Sequence, residues 1–165
     1  MTSLTRSLNA PITRRHVFGW KCEKILHPIL EEVLQEPLTK TSNRFNSIDF
    51  KGSYWTTELK SRPKIDERGQ PQDSERFNTW VLPCCKVVLP ETQELVDDSE
   101  IDGEIAFFYF WEGDNSLWFC RYNKQKFETY LRGVPVWHTQ EHFFIPRRDW
   151  ERIDCLIPEI PASSS

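Results

Sequence analysis

Residues 47–60 read Ser-Ile-Asp-Phe-Lys-Gly-Ser-Tyr-Trp-Thr-Thr-Glu-Leu-Lys, with an acid at Asp49 and an acid-x-lysine triplet at Glu58, Leu59 and Lys60. Successive side chains of a strand alternate faces, so Glu58 and Lys60 share one face while Trp55, Thr57 and Leu59 take the other, apolar one. A tight turn near Gly52, Ser53 and Tyr54 brings Asp49 back within reach of Glu58, directly opposite or on a diagonal. Two carboxylates and an ammonium then meet at one spot. Neighbouring carboxylates repel unless a cation neutralises them, and hard oxygen donors suit Mg²⁺ or Mn²⁺. Magnesium is commonly held by one or two carboxylates plus substrate phosphate, so the pattern points to metal-assisted phosphodiester hydrolysis, with the lysine beside the attacking water.

The element that must carry a third acid is the first helix. Over residues 20–35 the apolar side chains Ile25, Leu26, Ile29, Leu30, Val33 and Leu34 recur at helical spacing and form one broad stripe. At about 100° per residue, Glu23 falls among Leu26, Leu30 and Leu34, whereas Glu31 and Glu32 fall at or beyond the stripe's edges. A carboxylate on an apolar face is costly unless it is paired or binds metal, so Glu23 is the anomalous glutamate. The competing reading is that Glu23 snorkels to water from the first turn, favoured there by the helix dipole. Pro28 is also a site where the helix kinks and the wheel fails.

Asp49, the triplet Glu58-Leu59-Lys60 after eight intervening residues, and a preceding helix with an acid on its inner face resemble the PD-(D/E)xK nuclease superfamily of restriction-endonuclease-like folds. The resemblance covers residues 19–86. Superfamily members often carry glycine four residues before the helix glutamate, as Gly19 stands before Glu23. Ser47 and Ile48 precede Asp49 where the motif's name has proline, a position that varies widely in the superfamily.

The resemblance implies an α/β domain with a central mixed β-sheet flanked by helices. It also implies that Asp49, Glu58 and the Leu59 carbonyl bind Mg²⁺, with Mn²⁺ as a substitute, that Glu23 assists, and that Lys60 orients water or stabilises developing charge. A basic residue from the next helix often faces the cleft in this superfamily. Lys86 fills that place if the stretch containing Trp80 and Lys86 is helical. Arg62, two residues after Lys60, has the guanidinium geometry to clamp a phosphate. DNA is the more usual substrate of such enzymes, RNA the less usual one, and many of them dimerise, so a homodimer is compatible with the pattern. A chain this small would suit a stand-alone nuclease of a virus or mobile element. The alternative is a non-catalytic nucleic-acid-binding or protein-interaction domain in which Glu58 and Lys60 are an exposed strand pair.

The chain has 165 residues, 38% of them apolar and 13% aromatic, enough for one domain with a proper core and too little for two ordinary ones. That domain is expected over residues 14–157, with loose ends at 1–13 and 158–165. The formal net charge of −4 argues against coating nucleic acid by bulk electrostatics and leaves a cleft enzyme open. Acids in residues 91–98 and 100–104 are expected in solvent. Arg14, Arg15, Lys60, Arg62, Lys64, Arg147 and Arg148 are candidates for a backbone-binding groove. Residues 1–10 lack the apolar stretch of a signal peptide and no run approaches the length of a membrane span, which predicts an intracellular protein, cytoplasmic or nuclear and not secreted.

The five cysteines lack CxxC spacing and are expected as reduced thiols, with no base placed to make Cys22, Cys84 or Cys85 a nucleophile. His138 and His142 stand four apart, a spacing that suits zinc on a helix. Their segment is proline-bounded and aromatic, more like loop and strand, so the histidines and Trp137 are expected on a rim where base stacking is feasible. Residues 104–111 and 116–122 flank a turn-rich tetrapeptide and read as a hairpin. The first run is apolar throughout, as in a strand buried on both faces. A short helix over 124–131, a strand over 142–145, a flexible loop over 63–74 and tryptophans mostly in the core complete the expectations.

Overall fold

The computed structural model describes residues 13–41 and 49–161. Helix α1 (Arg14–Leu34) opens on Thr13, whose hydroxyl accepts the His16 N–H while the His16 ring accepts the Thr13 N–H. This reciprocal cap satisfies two donors that a helix start otherwise leaves orphaned, and it sets the start upstream of the expected residue 20. Pro28 lies inside α1 without ending it. The buried stripe is Cys22, Glu23, Leu26, Leu30 and Leu34, so Glu23 does sit among leucines, only 6% exposed.

The strands are β1 (Thr39–Lys40), β2 (Phe50–Lys51), β3 (Trp55–Arg62), β4 (Thr79–Pro83), β5 (Glu104–Trp111), β6 (Ser116–Arg121), β7 (Leu131–Gly133), β8 (His142–Pro146) and β9 (Glu151–Ile153). Helix α2 (Lys124–Phe127) is a single turn between β6 and β7, shorter than the span expected there. Six strands form one mixed sheet in the order β1-β2-β3-β5-β6-β9, with β3 and β5 parallel and the other neighbours antiparallel. A second sheet has the order β4-β8-β7.

The register that matters for the site is set at the end of α1. Gln35 adopts the left-handed conformation, φ 60°, and turns the chain so that Glu36 faces the β2–β3 turn. There the Glu36 carboxylate accepts the Tyr54 N–H at 3.1 Å, the Trp55 N–H at 2.8 Å and the Ser53 hydroxyl at 2.9 Å. Those bonds, the Trp55 N–H foremost, hold its pKa below the ordinary value. Gly52 leaves room for this contact: a Cβ there would lie 2.0 Å from the Glu36 carboxylate and displace it from the turn. The turn closes with the Gly52 N–H on the Trp55 carbonyl at 2.7 Å, and β2 pairs Phe50 with Thr57 and Lys51 with Thr56. Continued by one residue, that register sets Asp49 opposite Glu58, the first of the two geometries the sequence allowed.

Strand β5 is buried on both faces, as its unbroken apolar run predicts. Ala106, Phe108 and Phe110 join Leu26, Leu30, Phe50 and Leu59 in a core beneath α1, while Phe107, Tyr109 and Trp111 join Trp80, Leu82, Phe143 and Ile145 on the other side. Each fully buried phenylalanine contributes about 2–3 kcal/mol of transfer free energy. The expectation of helices on both faces is corrected here. Helix α1 covers one face, and the small sheet β4-β8-β7 covers the other. The stretch with Trp80 and Lys86 is likewise a strand followed by a 3₁₀ turn (Cys84–Lys86), not a helix.

Residues 63–74 form an internally bonded excursion. Asp66 and Gln70 pair by a backbone bond of 2.8 Å, the Asp66 carboxylate accepts the Arg68 and Gln70 N–H groups, and Ile65 bridges Pro71. At the other end of the chain, Ile160 is buried against the α1 core, so packing reaches beyond the expected boundary at 157. Residues 1–12, 42–48 and 162–165, including Ser47 and Ile48, lie outside the described set. Among the described residues no helix is long and apolar enough to cross a membrane.

Candidate active site

Asp49 is the hinge of an acid cluster that straddles strand β3. Its Oδ2 accepts the Leu59 N–H at 2.8 Å, which draws the carboxylate along the strand edge between two glutamates. On the α1 side stands Glu23, whose Oε1 pairs with Lys40 Nζ at 2.9 Å. On the small-sheet side stands Glu58, whose Oε1 pairs with Lys86 Nζ at 3.0 Å. Lys40 comes from the two-residue strand β1 and Lys86 from the 3₁₀ turn after β4, so long-range pairing delivers both cations.

The electrostatics follow from burial and crowding. Removal from water, then the Asp49 charge, pushes the Glu58 carboxyl up to about 8 despite Lys86. The same two causes raise Glu23 to about 7, opposed by its pairing with Lys40. Lys60 moves the opposite way, down to about 8, through burial first and then the positive charge of Arg62. Two carboxyls and an amine, ordinarily at 4.5 and 10.5, are thus brought to within about a unit of each other near neutral pH, as in acid–base sites.

Glu58 and Lys60 do share one face of β3, opposite Leu59 in the α1 core. That face is not open strand surface: β3 pairs Glu58 with Phe107, Lys60 with Tyr109 and Arg62 with Trp111, and those aromatics pack against the small sheet. Glu58 is buried, and its second oxygen, Oε2, has no hydrogen-bond partner among the described residues. Arg62 is fixed by a bond from its Nε to the Tyr109 hydroxyl at 3.1 Å, and that hydroxyl donates to the Val81 carbonyl at 3.3 Å. The guanidinium is thereby aimed and its terminal amino groups take no part in that bond.

Of the basic residues expected at a groove, Arg15, Lys60 and Arg62 share one field, while Arg147 turns to the Ser74 carbonyl at 3.3 Å. Arg15 reaches Glu67 in the 63–74 excursion at 2.9 Å. Lys86, expected to contact phosphate from a helix, stands in a 3₁₀ turn and pairs with Glu58. Glu31 accepts the Leu38 N–H at 2.8 Å and Glu32 is exposed, so of the three helix glutamates Glu23 is the one that stands in this cluster. All five cysteines are free thiols, and burial pushes Cys22 and Cys84 up to about 12, far from thiolate chemistry at neutral pH.

Comparison of the chain with protein-family models, with curated proteins and with solved structures gives no match. The residues themselves therefore carry the functional reading. Among the described residues no group of three His, Cys, Asp or Glu side chains is gathered as a ready metal site. The donor set nonetheless fits a hard cation in kind: the carboxylates are oxygen donors, and the unpartnered buried Glu58 Oε2 is the sort of atom that a cation satisfies.

Two participants carried no sequence signal strong enough to find them: Lys40 sits in a strand of two residues, and Glu36 looks like one more surface acid after a helix. His138 and His142, noted for their spacing, reach the Lys60 side through a strand pairing distant in sequence.

Proposed function

We propose that this protein is a metal-dependent nuclease of the PD-(D/E)xK type that hydrolyses phosphodiester bonds. The observation that carries the reading is the buried, unpartnered Glu58 Oε2 beside Asp49 and a lysine whose pKa is drawn down to about 8. Asp49, Glu58 and the Leu59 carbonyl, assisted by Glu23, would hold Mg²⁺ or Mn²⁺. The ion would polarise a phosphoryl oxygen and lower the pKa of a bound water.

The chain's own residues supply the rest. Lys60, close to half-protonated near pH 8, orients the attacking water and holds a proton at Nζ as negative charge develops on phosphate. Arg62, aimed by Tyr109, binds a phosphate oxygen pair. Burial under the small sheet excludes water from Glu58 and strengthens each of these interactions. DNA is the substrate that the superfamily resemblance favours.

A second reading rests on the two lysines. Lys40 and Lys86 already neutralise Glu23 and Glu58, so the cluster is electrostatically complete as a structural ion-pair network in a non-catalytic binding domain. The test compares wild type with Lys60→Ala and Asp49→Asn on labelled single- and double-stranded DNA and RNA, in Mg²⁺, in Mn²⁺ and in chelator. Metal-dependent cleavage lost in both variants supports the nuclease; no cleavage by folded wild type on any substrate selects the binding domain.

A further inference from the structure

The turn between β7 and β8 shows water a set of large apolar side chains. Val136 is 98% exposed and Trp137 63%, with Leu131 and Val134 also exposed nearby in the chain. Most other tryptophans pack into the core, where Trp111 stacks on Tyr109, Trp80 tilts against it and Trp150 meets it edge to face. A tryptophan left this far in water is the uncommon arrangement, and its chain neighbour His138 lies in the field of Lys60, Arg15 and Arg62.

Its neighbour His138 is built as a fixed donor. The Thr139 and Gln140 N–H groups both donate to His138 Nδ1, at 3.0 and 3.1 Å, so the ring proton resides on Nε2. His142 is set the other way, with Nδ1–H donating to the Gln140 carbonyl at 2.9 Å, and the two rings meet edge to face with centroids 4.4 Å apart. His138 is therefore held as a neutral Nε2–H donor, and burial together with the charges of Lys60, Arg15 and Arg62 disfavours its protonation.

The turn is also tied to the acid cluster. His142 pairs with Pro83, the Glu141 carbonyl accepts the Cys84 N–H at 3.0 Å, and the turn starting at Cys84 presents Lys86 to Glu58. The same segment thus supports the acid site and the exposed indole. Positive charge on Arg15, Lys60 and Arg62 complements a phosphate backbone, and an indole face complements a base that is not covered by its neighbours.

We propose that Trp137 and His138 form a nucleotide platform at the edge of the site, the indole stacking an unpaired base and His138 Nε2–H donating to an adjacent phosphate, so that the strand bound is single-stranded nucleic acid. This rests on the phosphodiesterase reading for what happens next, but not for binding. A duplex hides its base faces and gains little from Trp137.

The test measures anisotropy of a fluorescein-labelled oligothymidylate, and of the same strand annealed to its complement, with the full chain in chelator. Trp137→Ala is expected to weaken single-strand binding by about ten-fold or more, Trp137→Phe to retain most of it, and duplex binding to be weaker and indifferent to either change. His138→Asn, which keeps a neutral donor, is expected to bind better than His138→Ala. Equal single-strand affinity for wild type and Trp137→Ala, or duplex bound as tightly as single strand, overturns the platform. Single-strand binding lost in Trp137→Ala while wild type cleaves nothing in Mg²⁺ upholds the platform and rejects the nuclease; the converse pattern does the reverse.

Discussion

The two halves of the acid cluster use the same chemistry at different depths. On the α1 side, Glu23 is buried but its partner Lys40 is 42% exposed and lies over the Phe50 ring at 5.3 Å. On the small-sheet side, Glu58 and Lys86 are 12% and 14% exposed, and Glu58 rises further on the pH scale than Glu23 does. A cation half in water can be replaced by solvent. A cation sealed in with its carboxylate cannot, so the Glu58 half is where removing one group leaves the other stranded. On the proposed function, the Glu58 half would carry both the chemistry and its cost, and the Glu23 half would tune it.

The largest expected effect separates the halves by rate. Glu58→Gln and Lys60→Ala are each expected to lower Mg²⁺-dependent cleavage by about 10²–10⁴-fold, the range for a group acting at the reacting atoms. Glu23→Gln is expected to lower it by about 10–100-fold, as for a residue that supports ligands from behind. Initial rates at saturating Mg²⁺ measure this, and equal losses in the two halves would break the comparison.

Stability gives the next effect. Lys86→Met leaves Glu58 without its cation and is expected to lower folding stability by about 1–3 kcal/mol at pH 9 and by less at pH 6, where Glu58 carries a proton. Wild type should show the matching pH dependence. Glu58 has a folded pKa of about 8 against an ordinary 4.5, so its contribution is fully present below 4.5 and is lost as pH rises to about 8. Glu23 has the same sign, with its loss complete near its own folded value of about 7. Lys60 has the opposite sign: held at about 8 against 10.5, it contributes stability present above 10.5 and lost as pH falls through 8. Together the three place a minimum near pH 8, which urea unfolding from pH 5 to 10 reads directly. Glu58→Gln flattens the acid-side fall, and a flat wild-type profile would show that Glu58 titrates as an ordinary surface carboxylate.

The comparison also marks where sequence could and could not see. The α1 stripe located Glu23, and the spacing from Asp49 to Glu58 across Gly52 located their pairing, because both are local patterns on one helix or one turn. Strand β5 announced two buried faces by lacking alternation. What covers the second face was hidden, since β4 and β8 pair Leu82 with Phe143 across a long separation and the Trp80 stretch carries no strand-like alternation. For that reason Glu58 and Lys60 read as a projecting pair, whereas Glu58 is buried and Lys60 half-buried. Lys86 was picked out by its charge, but its partner was set by that unseen sheet.

The smallest expected effect is at Lys40. Lys40→Met removes the cation beside Glu23 but keeps a methylene stem to lie against Phe50. Lys40 is 42% exposed, so water takes its place beside Glu23 instead of leaving a bare charge stranded. The expected loss of stability is below about 1 kcal/mol at pH 9, as for a partly exposed ion pair. Urea unfolding of Lys40→Met beside Lys86→Met at pH 9 decides the matter. Similar losses from both would mean that the Glu23 half is sealed as tightly as the Glu58 half, and that depth does not distinguish their roles.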